Sequence, residues 1–187
     1  LNAMSPEVFD ALGEAADAVP ADARVVVVRG LGRSFSAGID TTSFGAVAGS
    51  PKEGIARAQS GFRKIAALPM PTVAAVQGHA LGAGLQLALA CDLRVCTEDA
   101  SLGLLEHRYG IVPDLGGTQR LPRLVGPGRA KKMIWLAERI DGREAARIGL
   151  AEVLVAPGDL EAAVDELADR LASAPPLAVR AAKELVD

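Results

Sequence analysis

Two places in this chain could hold a negative charge with backbone atoms alone. In one, the β-branched run Thr72-Val73-Ala74-Ala75-Val76 leads through Gln77-Gly78-His79-Ala80-Leu81-Gly82-Ala83-Gly84 into an Ala/Leu-rich segment ending at Cys91-Asp92. A strand that turns through glycine into a helix leaves its first amides without intrahelical partners, with the positive end of the helix dipole behind them. Such a corner suits a bound phosphate, or an oxyanion that exists only during reaction. In the other, Arg24-Val25-Val26-Val27-Val28-Arg29-Gly30 reads as a buried strand that runs into Arg33-Ser34-Phe35-Ser36-Ala37-Gly38-Ile39-Asp40. One N–H from each corner, aimed at the same point, is the equipment of acyl-transfer and enolate chemistry. The plain alternative is that Gly82 and Gly84 only let a helix pack close to a strand.

The elements around these corners can be read from period and punctuation. Ser5 as N-cap and Pro6 at the first helical position open a helix that places Val8, Leu12, Ala16 and Val19 on one face. Residues 20–23 turn the chain into the 25–28 strand. Residues 41–54, rich in Gly, Ser, Thr and Ala without a period, read as a mobile loop near the substrate. Residues 55–68 read as a helix stopped by Pro69-Met70-Pro71. Residues 92–96 form a third strand, 102–117 an irregular stretch broken by glycine and proline, and 128–137 a helix carrying Trp135. Asp141 and Glu144 fit a capping box for a helix that stops at Gly149. Residues 153–155 form a short strand. Behind an Asp159 cap, Leu160, Ala163, Val164, Leu167, Ala168 and Leu171 share one face of the last clear helix.

Four ordered blocks carry a resemblance. Ser34-Phe35-Ser36-Ala37-Gly38-Ile39-Asp40 resembles the "(A/S)FSAGxD" block of the crotonase (enoyl-CoA hydratase/isomerase) superfamily, and residues 71–92 resemble its "PTVAAVNGxAxGGGxxLALACD" block. Ala100, Glu106, Gly110, Pro113 and the run from Gly116-Gly117-Thr118-Gln119-Arg120 to Gly126 are similar to its third block. Glu144-Ala145-Ala146-Arg147-Ile148-Gly149-Leu150-Ala151-Glu152-Val153-Leu154 is similar to its "EAxxxGLVxxVV" segment. The chain is identified as a member from Asn2 to about Lys183. The resemblance implies an α/β fold of the ClpP/crotonase type, a spiral of repeated β-β-α units. It further implies one acyl-CoA-binding domain over residues 1–187, without the strand pair before it and the helices after it that family members usually have.

What the family does then gives the corners a task. It binds acyl-coenzyme A thioesters and stabilises their enolates with two backbone N–H groups, which fall here on Ile39 and Ala83. Ala37, Gly38, Asp40, Gly82, Gln86, Leu105 and Tyr109 fall on positions that line the coenzyme A and acyl group. The acyl-CoA is substrate, so no separate cofactor is implied. Hydratases place one Glu two residues beyond the last glycine of the second block and another in the third block. Here the first position is Gln86, whose neutral amide can orient a water but cannot take its proton. The second is Glu106. A further acid, Asp114, sits eight residues on, an offset shared with dienoyl-CoA isomerase-like members. Glu106 and Asp114 without a second Glu favour double-bond migration over hydration. Hydration with an altered water site, and acyl-CoA binding without turnover, stay open beside it. Taken alone, Glu106 reads as a loop ion pair with His107 or Arg108, and Asp114 as a turn residue supporting Gly116-Gly117. His79 reads as structural or substrate-lining.

Composition bounds the rest. The 187 residues suffice for one well-buried domain, and half of them are apolar with few aromatics, as in a layered α/β protein. A net charge of −3 implies no general attraction to polyanions, so no nucleic-acid partner is expected. The local group Arg120, Arg123, Arg129, Lys131 and Lys132 is either a solvated face or a docking surface for a phosphate-rich tail or a neighbouring subunit. No run reaches the roughly 18 apolar residues of a membrane span. Cys91 and Cys96 read as buried, reduced thiols, which fits a cytoplasmic protein, and with only His79 and His107 no metal site is expected. The family resemblance implies a homotrimer or homohexamer.

Overall fold

The computed structural model describes residues 1–43 and 51–186. The chain begins with the two-residue strand β1 (Ala3–Met4), helix α1 (Pro6–Asp17), strand β2 (Val26–Arg29) and the short strand β3 (Gly38–Ile39). After a 3-10 turn at Thr41–Ser43 come α2 (Pro51–Ala66), β4 (Thr72–Val76), β5 (His79–Leu81) and α3 (Ala83–Ala90). Then follow β6 (Leu93–Thr97), β7 (Ser101–Gly103), a 3-10 turn at Glu106–Tyr109, α4 (Gly117–Val125) and α5 (Pro127–Leu136). The chain finishes with β8 (Ile140–Asp141), α6 (Gly142–Arg147), β9 (Val153–Val155), α7 (Leu160–Ser173) and α8 (Pro176–Val186).

Beside the two-stranded β1–β3 ladder, the strands make two tracks. One is a parallel sheet in the order β2-β4-β6-β9, and the other runs β5-β7-β8, with β5 and β7 parallel. A parallel bridge from Ser36 to Ala80 extends the second track to the segment just before β3. Each pass of the chain therefore lays one strand in the first track and the next in the second, then crosses over. That is the spiral of β-β-α units, and it brings the turns after β2 and β4 side by side.

Burial explains why β4 is apolar throughout. All five of its residues are buried. Successive side chains of a strand point to opposite faces. Ala74 and Val76 face the main core with Leu85, Leu102 and Leu104, while Val73 and Ala75 face Val95, Leu160 and Val164 under α7. A central parallel strand covered on both faces has no room for alternation. The run at 25–28 is not such a strand. Its observed counterpart β2 is the edge of the sheet, alternately half-buried and exposed, with Val27 37% accessible.

Other expectations shift for packing reasons. Of the expected α1 stripe Ala16 is buried and Leu12 packs against the core, but Val8 is exposed while Phe9 and Gly13 are buried, and the helix ends before Val19. Helix α2 crosses it there, where a Cβ on Gly61 would stand 3.1 Å from Gly13 N, and the Phe9 and Phe62 rings lie 6.1 Å apart. The helix expected from residue 55 begins at Pro51, and Thr41–Ser43 is a 3-10 turn. The remainder of that expected loop, 44–50, lies outside the described residues. Asp141 caps α6 as its spacing predicts, accepting the Glu144 N–H at 2.7 Å. Asp159 precedes α7 without a side-chain cap bond. Helices α4 and α8 went unanticipated.

Arg94 ties the ends of these elements together. Its buried guanidinium donates to the carbonyls of Leu150, Cys91 and Asp92 at 2.8, 2.9 and 3.1 Å and pairs with Glu152. Helix α8 is held by Lys183, whose Nζ lies 2.7 Å from Asp92 Oδ2, the same oxygen that accepts the Thr72 N–H. Replacing Arg94 by Ala leaves buried carbonyls without donors, so it is expected to lower stability by about 3 kcal/mol. Urea unfolding measures it, as a lower midpoint at unchanged slope.

Candidate active site

The first corner is stapled to β5. Ser36 N–H donates to His79 C=O at 2.7 Å, and Ser36 C=O accepts the Leu81 N–H at 3.1 Å. The Ser36 hydroxyl donates to Asn2 C=O at 2.8 Å. Gly38 follows at φ +96°, where a Cβ would stand 2.7 Å from Leu81 O and 3.7 Å from Ala83 N. The two corners thus meet at a position that only glycine can occupy. In the β1–β3 ladder Met4 pairs with Ile39 and accepts the Asp40 N–H at 3.0 Å. Ladder bonds fall on alternate residues, so the Ile39 N–H points away from β1.

The second corner turns on Gly82, with φ +52° and ψ −121°, a conformation L side chains avoid. Its N–H donates to Gly103 C=O at 2.8 Å, and its C=O accepts the Gln86 N–H at 3.0 Å. Ala83 is the first residue of α3, so its N–H has no carbonyl four residues back within the helix. All eight residues of α3 are buried, which leaves that end of its dipole poorly screened. Gly84 serves the plainer purpose, since a Cβ there would come within 2.5 Å of Ser36 O.

Glu106 stands over this corner. It opens the 3-10 turn after β7 and is 6% exposed, and a Cβ on Gly82 would lie 3.4 Å from its Oε1. Oε1 accepts a hydrogen bond from Gln86 Nε2 at 2.7 Å. Oε2 is buried and has no hydrogen-bond partner among the described residues. Gln86 is fixed at its other end, where Oε1 accepts the Gly117 N–H at 3.0 Å. Burial pushes the Glu106 carboxyl above its ordinary range; its own backbone N–H, the bond from Gln86 and the charge of His107 oppose this, and the charge of Asp114 adds to the rise. Asp114 is half-buried and is itself pushed up by burial, with its backbone C=O held by Gln59 Nε2 at 2.8 Å.

The other residues singled out from sequence take mixed positions. Ala37 donates its N–H to Leu1 C=O at 2.9 Å. Asp40 spends its carboxylate locally, accepting the Thr42 hydroxyl at 2.7 Å and N–H at 3.0 Å, which hold its pKa down. Leu105 is half-buried just before Glu106, and Tyr109 is 60% exposed at the far end of the turn. Glu106 has no ion pair with His107 or Arg108 among the described residues; Arg108 bonds Ala137 C=O instead. His79 Nδ1 lies 3.1 Å from the Ser34 hydroxyl. Sequence reasoning missed the two-ended hold on Gln86 and the reach of Gln59 to Asp114. A Gln at a position where the resemblance implies a Glu was the signal for the first; nothing in the sequence marked the second. A groove of about 550 Å³ between α1 and α2 lies apart from all of this, and its Arg57 and Lys64 are already paired with Asp10 and Asp17.

Comparison with known proteins agrees with this architecture. The family model for enoyl-CoA hydratase/isomerase matches residues 1–187, and the chain belongs to that family. Crotonyl-CoA hydratase of Syntrophomonas wolfei is 41% identical over 98% of this chain and 72% of its own length. A probable mitochondrial enoyl-CoA hydratase 2 of Arabidopsis thaliana is 41% identical over the whole chain and 63% of its own length. A Thermobifida fusca YX structure in complex with CoA superposes with TM-score 0.92 at 41% identity, covering 98% of this chain and 75% of that one. A second, in complex with acetoacetyl-CoA, gives 0.93 at 42% identity, with 98% and 77% coverage. The match to Bacillus subtilis YngF spans 45% of that protein, so this chain corresponds to part of the length of several curated relatives.

The raised Glu106 pKa carries a stability consequence. A carboxyl whose folded pKa lies above its ordinary 4.5 favours folding below that value and loses the advantage as pH rises through the folded pKa. Glu106→Gln keeps an oxygen for the Gln86 amide and carries no charge. The variant is expected to be more stable than wild type near neutral pH, with the two converging as pH falls below about 4.5. Urea titrations across that range check it; a variant less stable at neutral pH would contradict it.

Proposed function

We propose that this chain moves a carbon–carbon double bond in an enoyl-CoA or dienoyl-CoA thioester, with Glu106 as the proton carrier. Family membership supports the acyl-CoA substrate, as do relatives solved with CoA and acetoacetyl-CoA. The observation that carries the choice of reaction is the Gln86–Glu106 pair: one buried carboxylate with a single unpartnered oxygen, beside an amide engaged at both ends. A second carboxylate to deprotonate water is missing from the position where hydratases have one.

In this reading the thioester carbonyl accepts hydrogen bonds from the Ile39 and Ala83 N–H groups. Glu106 Oε2 takes a proton from C2 of a 3-enoyl thioester. The released electron pair spreads onto the carbonyl oxygen and along to C4 as a dienolate, which the two amides stabilise. The protonated Glu106 returns the proton at C4, leaving a 2-enoyl thioester and the starting carboxylate. No water and no oxidant enters. Each amide is worth on the order of 3 kcal/mol to the charged intermediate, and a carboxyl whose pKa is raised makes a stronger base. Asp114, whose charge acts on Glu106, serves in this reading as the second acid. Ala37, Gly38 and Asp40 line the path of the coenzyme A. Exposed Tyr109, Val112, Trp135 and Leu136 offer apolar surface for the homotrimer or homohexamer that the resemblance implies, which sedimentation velocity would read.

Hydration is the second reading, favoured by the names of the relatives. A 3-enoyl-CoA and a 2-enoyl-CoA assayed side by side separate the two. Migration without water uptake is expected; consumption of only the 2-enoyl substrate, with water added, would give the reaction to hydration. If both bind and neither changes, the chain is an acyl-CoA-binding member. Glu106→Gln is expected to lower kcat by about 10²–10⁴-fold, with CoA affinity by calorimetry nearly unchanged. Full activity in that variant would remove Glu106 from the mechanism.

A further inference from the structure

Gln86 occupies a place where it could line the acyl group, yet its amide does not present a free polar end. The carbonyl oxygen holds the Gly117 N–H at 3.0 Å, and the NH₂ holds Glu106 Oε1 at 2.7 Å. The residue is 1% exposed. A Cβ on Gly117 would stand 3.0 Å from Gln86 Oε1, so the start of α4 closes directly on the amide. The Gly117 N–H can only donate, so it admits the oxygen of the amide and turns the NH₂ toward Glu106. The amide cannot flip without losing both bonds.

We infer that Gln86 is a positioning residue: clamped by the first turn of α4, it ties down Glu106 Oε1 and leaves Oε2 as the single oxygen able to carry a proton. This rests on the reading of Glu106 as the base, and it adds a role for the residue that stands where relatives have a second carboxylate. A donor on Oε1 favours the ionised carboxylate, which is the form that abstracts a proton. It also fixes the carboxylate plane, so that Oε2 returns to one place each turnover. The other charges felt by Glu106 are those of Asp114 and His107, and neither changes in the variants below.

Two variants test this. Gln86→Met keeps the bulk and removes both bonds. The acid limb of the kcat/KM–pH profile is expected to move up by about one to two pH units, with KM little changed. Gln86→Glu keeps the Gly117 bond and sets a second carboxylate against Oε1, so the pair retains a proton and the limb moves up further. A readout independent of activity is the pH dependence of the stability change caused by Glu106→Gln, measured once in the wild-type chain and once in the Gln86→Met variant; it follows the ionisation of Glu106 alone. A shift of that dependence to higher pH supports the inference even if wild type moves no double bond, in which case only the reaction assignment falls. An acid limb and a stability difference that both stay put in Gln86→Met would overturn it. Should Gln86→Met fail to fold, the Gln86→Glu profile decides, and an unmoved limb there overturns the inference equally.

Discussion

The backbones of two successive turns of the spiral approach more closely than side chains permit, and the rest of the site depends on that approach. At Gly38 the first corner lies against Leu81 C=O, and at Gly84 the start of α3 lies against Ser36 C=O. A methyl at either point would force the corners apart, and the Ala83 amide would then stand away from the turn that carries Ile39. The Ser36 bonds to His79 and Leu81 hold the contact shut. The strands behind each corner, one at the sheet edge and one at its centre, set the direction from which the amides arrive.

Burial then makes the charge beside that contact consequential. Glu106 sits where water is largely excluded, so its carboxylate is disfavoured, and its own backbone N–H and the Gln86 amide offset part of the loss of solvent. A single orphaned oxygen in such a place is expensive, and folded proteins seldom keep one without a use. Its presence next to the Gly82 corner links the electrostatics of the site to its geometry. The same helix, α3, supplies both Ala83 and Gln86, so the amide corner and the carboxylate's partner share one rigid element.

Much of this was legible in the sequence, for reasons that can be stated residue by residue. The β4 run and both glycine corners were visible because strand-then-glycine punctuation is local. Asp141 and Glu144 announced α6 through their spacing. What depended on neighbours distant in the chain was not legible. Whether residues 25–28 were central or at an edge is decided by which strands flank them, and no local pattern encodes that. The face of α1 was legible only in part, at Leu12 and Ala16, because Gly13, poor by hydropathy, is where α2 crosses. Helix α4 begins in glycines and contains Pro122, so propensity argues against it, and it exists because Leu121 and Val125 are buried. Gln86 and Glu106 could be named from the sequence, but their bond, between residues twenty positions apart, could not.

One property of the spiral bears on how the chain acquires its shape. Nearly every ladder in it is parallel, and strands adjacent in a sheet are separated by a return crossing, so no hairpin can zip up from a tight turn. Loop closure must come before any sheet bond rewards it, which makes folding slow and leaves β-rich edges bare while the next turn arrives. The Ala- and Leu-rich helix between the second and third turns, buried on every side, therefore has to be enclosed by partners from both before and after it in the chain. Until they arrive it is the surface on which a half-built molecule of this protein would stick to another.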